Sequence, residues 1–238
     1  MKNWIAFVGM LLAFSSLKAQ KVLMEEDVNA DTVESNYGHD KRHFVYSTYG
    51  YGLILGESEN KGSAVKTGLA TSEYYLGITY KYKVFNGYCL NTELMYLRSN
   101  FVLDQTEDKT LPDSLPHDRE WLVSHQLALQ FSNRIQISQR GTNLGTYLDL
   151  GGYFDWVIGA RHRIRDELSD SPNNAGNVKV RYADLEYFEP FNYGLFARLG
   201  SKNFAGFARY RLSDRFRSRF DYGELPRLTV GIEMAIAP

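Results

Sequence analysis

Residues 121–136, WLVSHQLALQFSNRIQ, decide the fold of this chain. Trp121, Val123, Leu127, Leu129, Phe131 and Ile135 share one parity, and Ser124, Gln126, Gln130, Ser132, Arg134 and Gln136 share the other. Successive side chains of a strand point to opposite faces, so this period of two predicts a strand with one apolar and one polar face. The same pattern returns in Leu148, Leu150, Phe154, Trp156 and Ile158 set against Tyr147, Asp149, Tyr153, Asp155 and Arg161. It returns again in Tyr74, Leu76, Ile78, Tyr80, Tyr82 and Val84 set against Glu73, Gly77, Thr79, Lys81 and Lys83.

Working outward, about eight such segments fill the chain from Phe44 to Ala237. They fall near 43–56, 73–84, 88–99, 121–136, 147–161, 191–199, 204–211 and 228–236. The connections alternate in length. Those around 85–87, 138–145 and 200–203 are short, and Asn86-Gly87 is a tight-hairpin signal. Those near 57–71, 104–118, 163–187 and 212–226 are long and rich in Asp, Glu, Asn, Ser, Pro and Arg. The fold expected is all-β: a closed antiparallel up-and-down transmembrane barrel of about eight strands, with short turns at one end and long loops at the other.

The N-terminus reads as an export signal. Met1-Lys2, the apolar stretch Trp4 to Phe14 and Ser16-Leu17-Lys18-Ala19-Gln20 give a charged start, a greasy centre and a small residue before a cleavage point after Ala19. The apolar stretch is shorter than the roughly 20 residues of a spanning helix. The expected division is therefore a signal peptide at 1–19, a polar periplasmic tail at 20–42 and a barrel at 43–238. Strands in a closed barrel are the remaining way to cross a bilayer, because every backbone polar group must be paired inside the protein.

Composition fits that picture. The chain is 14% aromatic with 17 Tyr, 14 Phe and 20 Gly, and its formal net charge of -1 gives no global signal for nucleic-acid binding. The single Cys89 excludes an intramolecular disulfide framework.

Lys18-Ala19-Gln20, the Gly/Tyr-rich run Tyr147-Leu148-Asp149-Leu150-Gly151-Gly152-Tyr153 and the apolar last segment together resemble the eight-stranded outer-membrane β-barrel superfamily of Gram-negative bacteria. That superfamily includes OmpA-type, OmpX-type and PorT-like proteins. The resemblance implies a location in the outer membrane and a non-enzymatic structural, docking or secretion-apparatus role. Its partners would be outer-membrane lipid and lipopolysaccharide, with a protein at the surface loops or on the periplasmic side. One departure is the ending Ile236-Ala237-Pro238, where such barrels often carry an aromatic residue.

The polar parity collects Lys81, Lys83, Arg134, Arg161, Arg198, Arg209 and Arg211 together with Glu93, Asp149, Asp155 and Glu233. An eight-stranded barrel is just wide enough to be filled by side chains, so these charges are expected to pair inside a plugged lumen. The alternative is a path for an ion or small solute. In Asp214-Arg215-Phe216-Arg217-Ser218-Arg219-Phe220, arginines interleave with rings. Arg215, Arg217 and Arg219 either meet lipopolysaccharide phosphates, for which guanidinium forks are suited, or form a solvated extension of the flanking strands.

Catalysis finds little support. Ser124 and His125 are neighbours on a strand and so face opposite ways, Leu127 stands two residues beyond His125, and His162 has no nucleophile beside it. A lipid-modifying enzyme is disfavoured on that ground. A soluble lipocalin-like binder is disfavoured by the heavily charged polar face and the absence of a Gly-x-Trp opening motif. Asp27, Asn29 and Asp31 imitate a calcium loop, but Thr32 stands where Gly is needed and Gly38 where Glu should fall. His39 and His43 are four apart without a helix to join them. No catalytic residue, metal ligand or cofactor site is assigned.

Overall fold

The computed structural model describes residues 36–38, 41–58, 65–66, 68–107, 109–111, 114–138, 145–167, 178–183, 185–220 and 222–236. The expected signal peptide, most of the tail, the calcium-like Asp27, Asn29 and Asp31, and His39 lie outside them. Among the described residues the strands are β1 His43–Leu55, β2 Ser72–Phe85, β3 Tyr88–Val102, β4 Arg119–Gln136, β5 Thr146–Asp166, β6 Val178–Ala183, β7 Phe191–Ser201, β8 Phe204–Arg211 and β9 Leu228–Ile236. One 3-10 turn, Ser218–Phe220, interrupts the last long connection.

Eight of the strands close an antiparallel ring. Each neighbour in the order β1, β2, β3, β4, β5, β7, β8, β9 is hydrogen-bonded to the next, and β9 returns to β1. Closure pairs every strand on both edges, so the ring leaves no open edge. Asn86-Gly87 makes the β2–β3 turn with Gly87 at φ 91°, a conformation open to glycine, and the ladder skips a residue between Lys83 and Phe85.

Parity sorts the two faces. On β4, Glu120, Leu122, Ser124, Gln126, Ala128, Gln130, Ser132 and Arg134 are buried in the lumen, while Leu127, Leu129, Phe131 and Ile135 are exposed outside. Leu76, Ile78, Leu94, Leu150, Phe154, Trp156, Leu195, Leu199 and Ile232 extend that exposed apolar surface around the ring. Water-soluble monomers rarely expose contiguous apolar patches beyond a few hundred Å², whereas this belt runs around the ring.

The lumen is filled in layers. Phe44, Tyr46 and Ala235 pack near the short-turn end. Tyr75, Met95, Leu97, Ala128, Tyr153, Phe196 and Phe207 pack midway. Ile54, Phe101, Leu103, Leu111, Leu122, Phe188, Phe216 and Leu225 form an apolar cap beneath the long loops.

Two features depart from the sequence reading. Residues 178–183, read as loop, form β6, which pairs with the far half of β5 from Arg161 to Asp166. β5 itself runs for 21 residues, about twice the 9–11 that a tilted spanning strand requires. The second departure is Arg161. The β4–β5 register slips at His125/Gln126, where Gly159 and Val157 are the successive partners and Ile158 is skipped. A one-residue bulge inverts the parity beyond it. His162 and Ile164 therefore turn inward and Arg161 is exposed on the outside, not in the lumen.

Candidate functional site

Two charged regions follow from this architecture: a buried network in the lumen and an exposed basic face above the apolar belt.

In the lumen, Arg134 of β4 faces its register partner Asp149 of β5 and grips it with two bonds, Nε to Oδ1 at 2.7 Å and Nη2 to Oδ2 at 2.8 Å. This fork geometry gives the strongest form of carboxylate pairing. Arg198 of β7 donates Nε to the same Asp149 at 3.0 Å, Nη2 to Glu93 of β3 at 3.3 Å and Nη1 to Glu233 of β9. Glu93 also accepts from Thr48 at 2.5 Å and Gln130 at 3.0 Å, and Glu233 accepts from the Tyr75 hydroxyl. Arg209 of β8 reaches across to Glu73 of β2 at 2.8 Å. These bonds tie opposite walls together through the middle of the barrel.

The other lumenal candidates are placed as follows. Lys81 is buried with its ammonium 5.4 Å from the Phe44 ring centre, and Lys83 is half-buried. Asp155 accepts from Asn192 at 3.0 Å, and Arg211 is bonded to Glu224 and to the Leu225 carbonyl at 3.0 Å. Glu73 and Gln130 belong to the network but were not singled out from sequence. Their polar parity was visible, whereas their partners depend on which strands face one another.

Arg215, Arg217 and Arg219 do not form a common surface. Arg215 is buried, with its guanidinium 5.7 Å from the Phe101 ring and its backbone N–H donating to Glu224 at 2.8 Å. Phe188 and Phe216 bridge the 184–190 and 212–227 segments, and that bridge folds Arg215 down into the mouth of the barrel. Arg217 is half-buried, and Arg219 is exposed and paired with Glu186 at 3.1 Å.

The concentrated surface charge lies elsewhere. On the outside of the β4–β5–β6 extension, Trp121 pairs in register with Arg163 and Arg163 with Arg181; two residues higher, Arg119 pairs with Arg165 and Arg165 with Lys179. Arg161, just above Ile158, and on β3 Arg98, opposite His125, form the base of this column. Like charges directly opposite in a sheet are destabilising. A groove of about 420 Å³ runs between Trp121, Arg163, Arg165, Lys179 and Arg181. Arg98 donates to the Tyr74 hydroxyl at 2.7 Å, and the Nε atoms of Arg98 and Arg163 have no hydrogen-bond partner among the described residues. Arg165 has Glu167 at 3.6 Å. The signal was present in Arg161-x-Arg163-x-Arg165 and Lys179-x-Arg181, cations at period two.

Neither His125 nor His162 is hydrogen-bonded to a serine among the described residues. Ser124 is buried and accepts from Gln126 at 2.8 Å, whereas His125 faces outward with Nδ1 2.5 Å from the Tyr96 hydroxyl. His162 lies 2.5 Å from Glu120, which also pairs with Lys109 at 2.5 Å and so fastens the 103–118 loop over the lumen.

No family model matches the chain, and no curated protein does. Among solved structures, the chain is similar to Ail, the attachment invasion locus protein of Yersinia pestis, in complex with the heparin analogue sucrose octasulfate. The identity is 12% and the TM-score 0.30, over 80% of this chain and 94% of that one. A second structure of Ail gives 12% and 0.30 over 80% and 93%.

Proposed function

We propose that this chain is a non-enzymatic outer-membrane β-barrel that does not conduct and that acts by docking: its basic outer face binds the phosphates of the lipopolysaccharide leaflet. The observation that carries the reading is the in-register cationic column from Arg98 and Arg161 up through Arg163 and Arg181 to Arg165 and Lys179. Its base begins where the exposed apolar residues Tyr96, Trp156 and Ile158 end, the depth at which headgroup phosphates lie. From there it climbs about 13 Å along β5, at ~3.3 Å per residue. Guanidinium forks match phosphate oxygens, and their mutual repulsion is relieved when an anion sits between them. The filled lumen supports docking over a porin.

The test is binding of bisphosphorylated against dephosphorylated lipid A by the refolded barrel. Each cation near an anionic surface contributes about 1 kcal/mol, so Arg163→Gln with Arg181→Gln should weaken binding roughly 30-fold, with no loss for the dephosphorylated form. Equal affinity of the double variant and the parent for the phosphorylated lipid would remove the proposal.

A further inference from the structure

Between the charged lumen and the apolar cap lies a cavity of about 20 Å³. Its lining includes Arg209, Arg211 and Arg215 together with Glu73 and Asp155. It has no part in the outer basic face.

The donors around it are incompletely used. Arg209 gives Nη1 to Glu73 at 2.8 Å and Nη2 to the Met95 sulfur at 3.3 Å and Gln130 at 3.4 Å, leaving its buried Nε without a partner. Arg211 directs Nη2 to Glu224 and to the Leu225 carbonyl, and its Nε is likewise unbonded. Arg215, only 4% exposed, has neither Nε nor Nη1 in a hydrogen bond among the described residues. The nearby acids are already engaged. Glu73 accepts from Arg209 and from Ser99 at 3.0 Å, Asp155 from Asn192, and Glu224 from Arg211 and the Arg215 backbone.

Three guanidiniums thus present four buried, unbonded nitrogens, with five N–H groups between them, beside one small cavity. Buried donors left unmade are costly, and charged ones more so. An arginine can only donate, so the occupant must accept. Water meets the demand poorly, because it accepts two bonds and must place two protons of its own among a surplus of donors. A proton-free anion satisfies the donors and offsets the charge together. The volume favours a small occupant: a cavity of this size suits a monatomic anion better than phosphate or sulfate.

We infer that this cavity is a binding site for a single monatomic halide, chloride under physiological conditions, held by Arg209, Arg211 and Arg215 beneath the apolar cap. The ion locks Arg215 and the Glu224 bonded to it onto the wall formed by β8.

The experiment uses the full barrel in detergent with bromide as the probe. Crystals grown with bromide in place of chloride should show an anomalous peak in the cavity, beside Arg211 and Arg215. In solution at fixed ionic strength, the unfolding temperature should rise by about 3–5 °C for each tenfold excess of bromide or chloride over its dissociation constant, relative to gluconate. Arg215→Met should abolish that difference. A cavity without an anomalous peak, coincident halide and gluconate curves, or an undiminished halide effect in Arg215→Met would each overturn the site. The crystals use the parent chain, so the test survives a variant that fails to fold.

Discussion

Arg198→Met should be among the most damaging single changes in the barrel, and its magnitude follows from the bonds it removes. Arg198 is 1% exposed and bonds three carboxylates on three strands: Asp149, Glu93 and Glu233. Methionine fills similar volume, so the loss is electrostatic rather than a cavity. Removing one member of a buried ion pair costs about 3–5 kcal/mol, because a charge is left buried without its partner. Here the orphaned acids keep other donors: Asp149 retains Arg134, Glu93 retains Thr48 and Gln130, and Glu233 retains Tyr75. The expected cost is therefore about 4 kcal/mol, within the range for one pair although three pairs are broken. For a domain of this size each kcal/mol moves the unfolding temperature by about 2–4 °C, giving a drop of roughly 8–16 °C. The assay is urea unfolding of the barrel in lipid vesicles, followed by tryptophan fluorescence, with heat-dependent gel mobility as a second readout. Adding Glu233→Gln should recover part of the loss by removing one of the orphaned charges. A cost below about 1 kcal/mol for Arg198→Met, or a double variant worse than the single, would refute the view that the lumen is held by compensated charge.

Two further outcomes test the architecture. In planar bilayers the barrel should give no steady single-channel steps, since Arg134, Asp149, Arg198, Glu93 and Glu233 close its middle; regular steps would mean that the network opens. Gly151→Ala should destabilise by about 1–3 kcal/mol, because its Cβ would lie 1.9 Å from the Phe131 carbonyl oxygen, whereas Gly159→Ala, with nothing within 4 Å, should be tolerated. Denaturation midpoints of the two variants compare them directly, and equal midpoints would contradict the close strand approach.

The ring was legible in sequence because lipid and lumen impose opposite demands on alternate residues, and Leu127, Leu129 and Phe131 against Gln126, Gln130 and Ser132 record that difference. Legibility ended where one demand lapses. β6 carries Val178, Val180 and Tyr182 against Lys179 and Arg181, yet all six of its residues are exposed, so no packed core shaped its pattern. Arg161 was misplaced because a bulge leaves little local mark, and a single skipped residue at Ile158 inverts everything after it. Arg215 depended on distant contacts, the Phe188–Phe216 bridge and the Glu224 carboxylate, which no reading of its own segment contains. Parity alone cannot pair acids with bases: the bond from Arg198 to Glu93, 105 residues away, exists only once the ring is closed.

Unequal wall height connects these observations. β3, β4 and β5 have 15, 18 and 21 residues, whereas β7, β8 and β9 have 11, 8 and 9, so the barrel rises well past its apolar belt on one side only. The raised wall still has a packed inner face, where Leu122, Ile164 and the Lys109–Glu120–His162 cluster meet the 103–118 loop. On its outer face Arg163 stands opposite Arg181 and Arg165 opposite Lys179. The wall can bear that repulsion because the inner packing holds it. One strand extension thus serves two ends with its two parities: the inner face packs over the lumen, and the outer face carries Arg163, Arg165, Lys179 and Arg181.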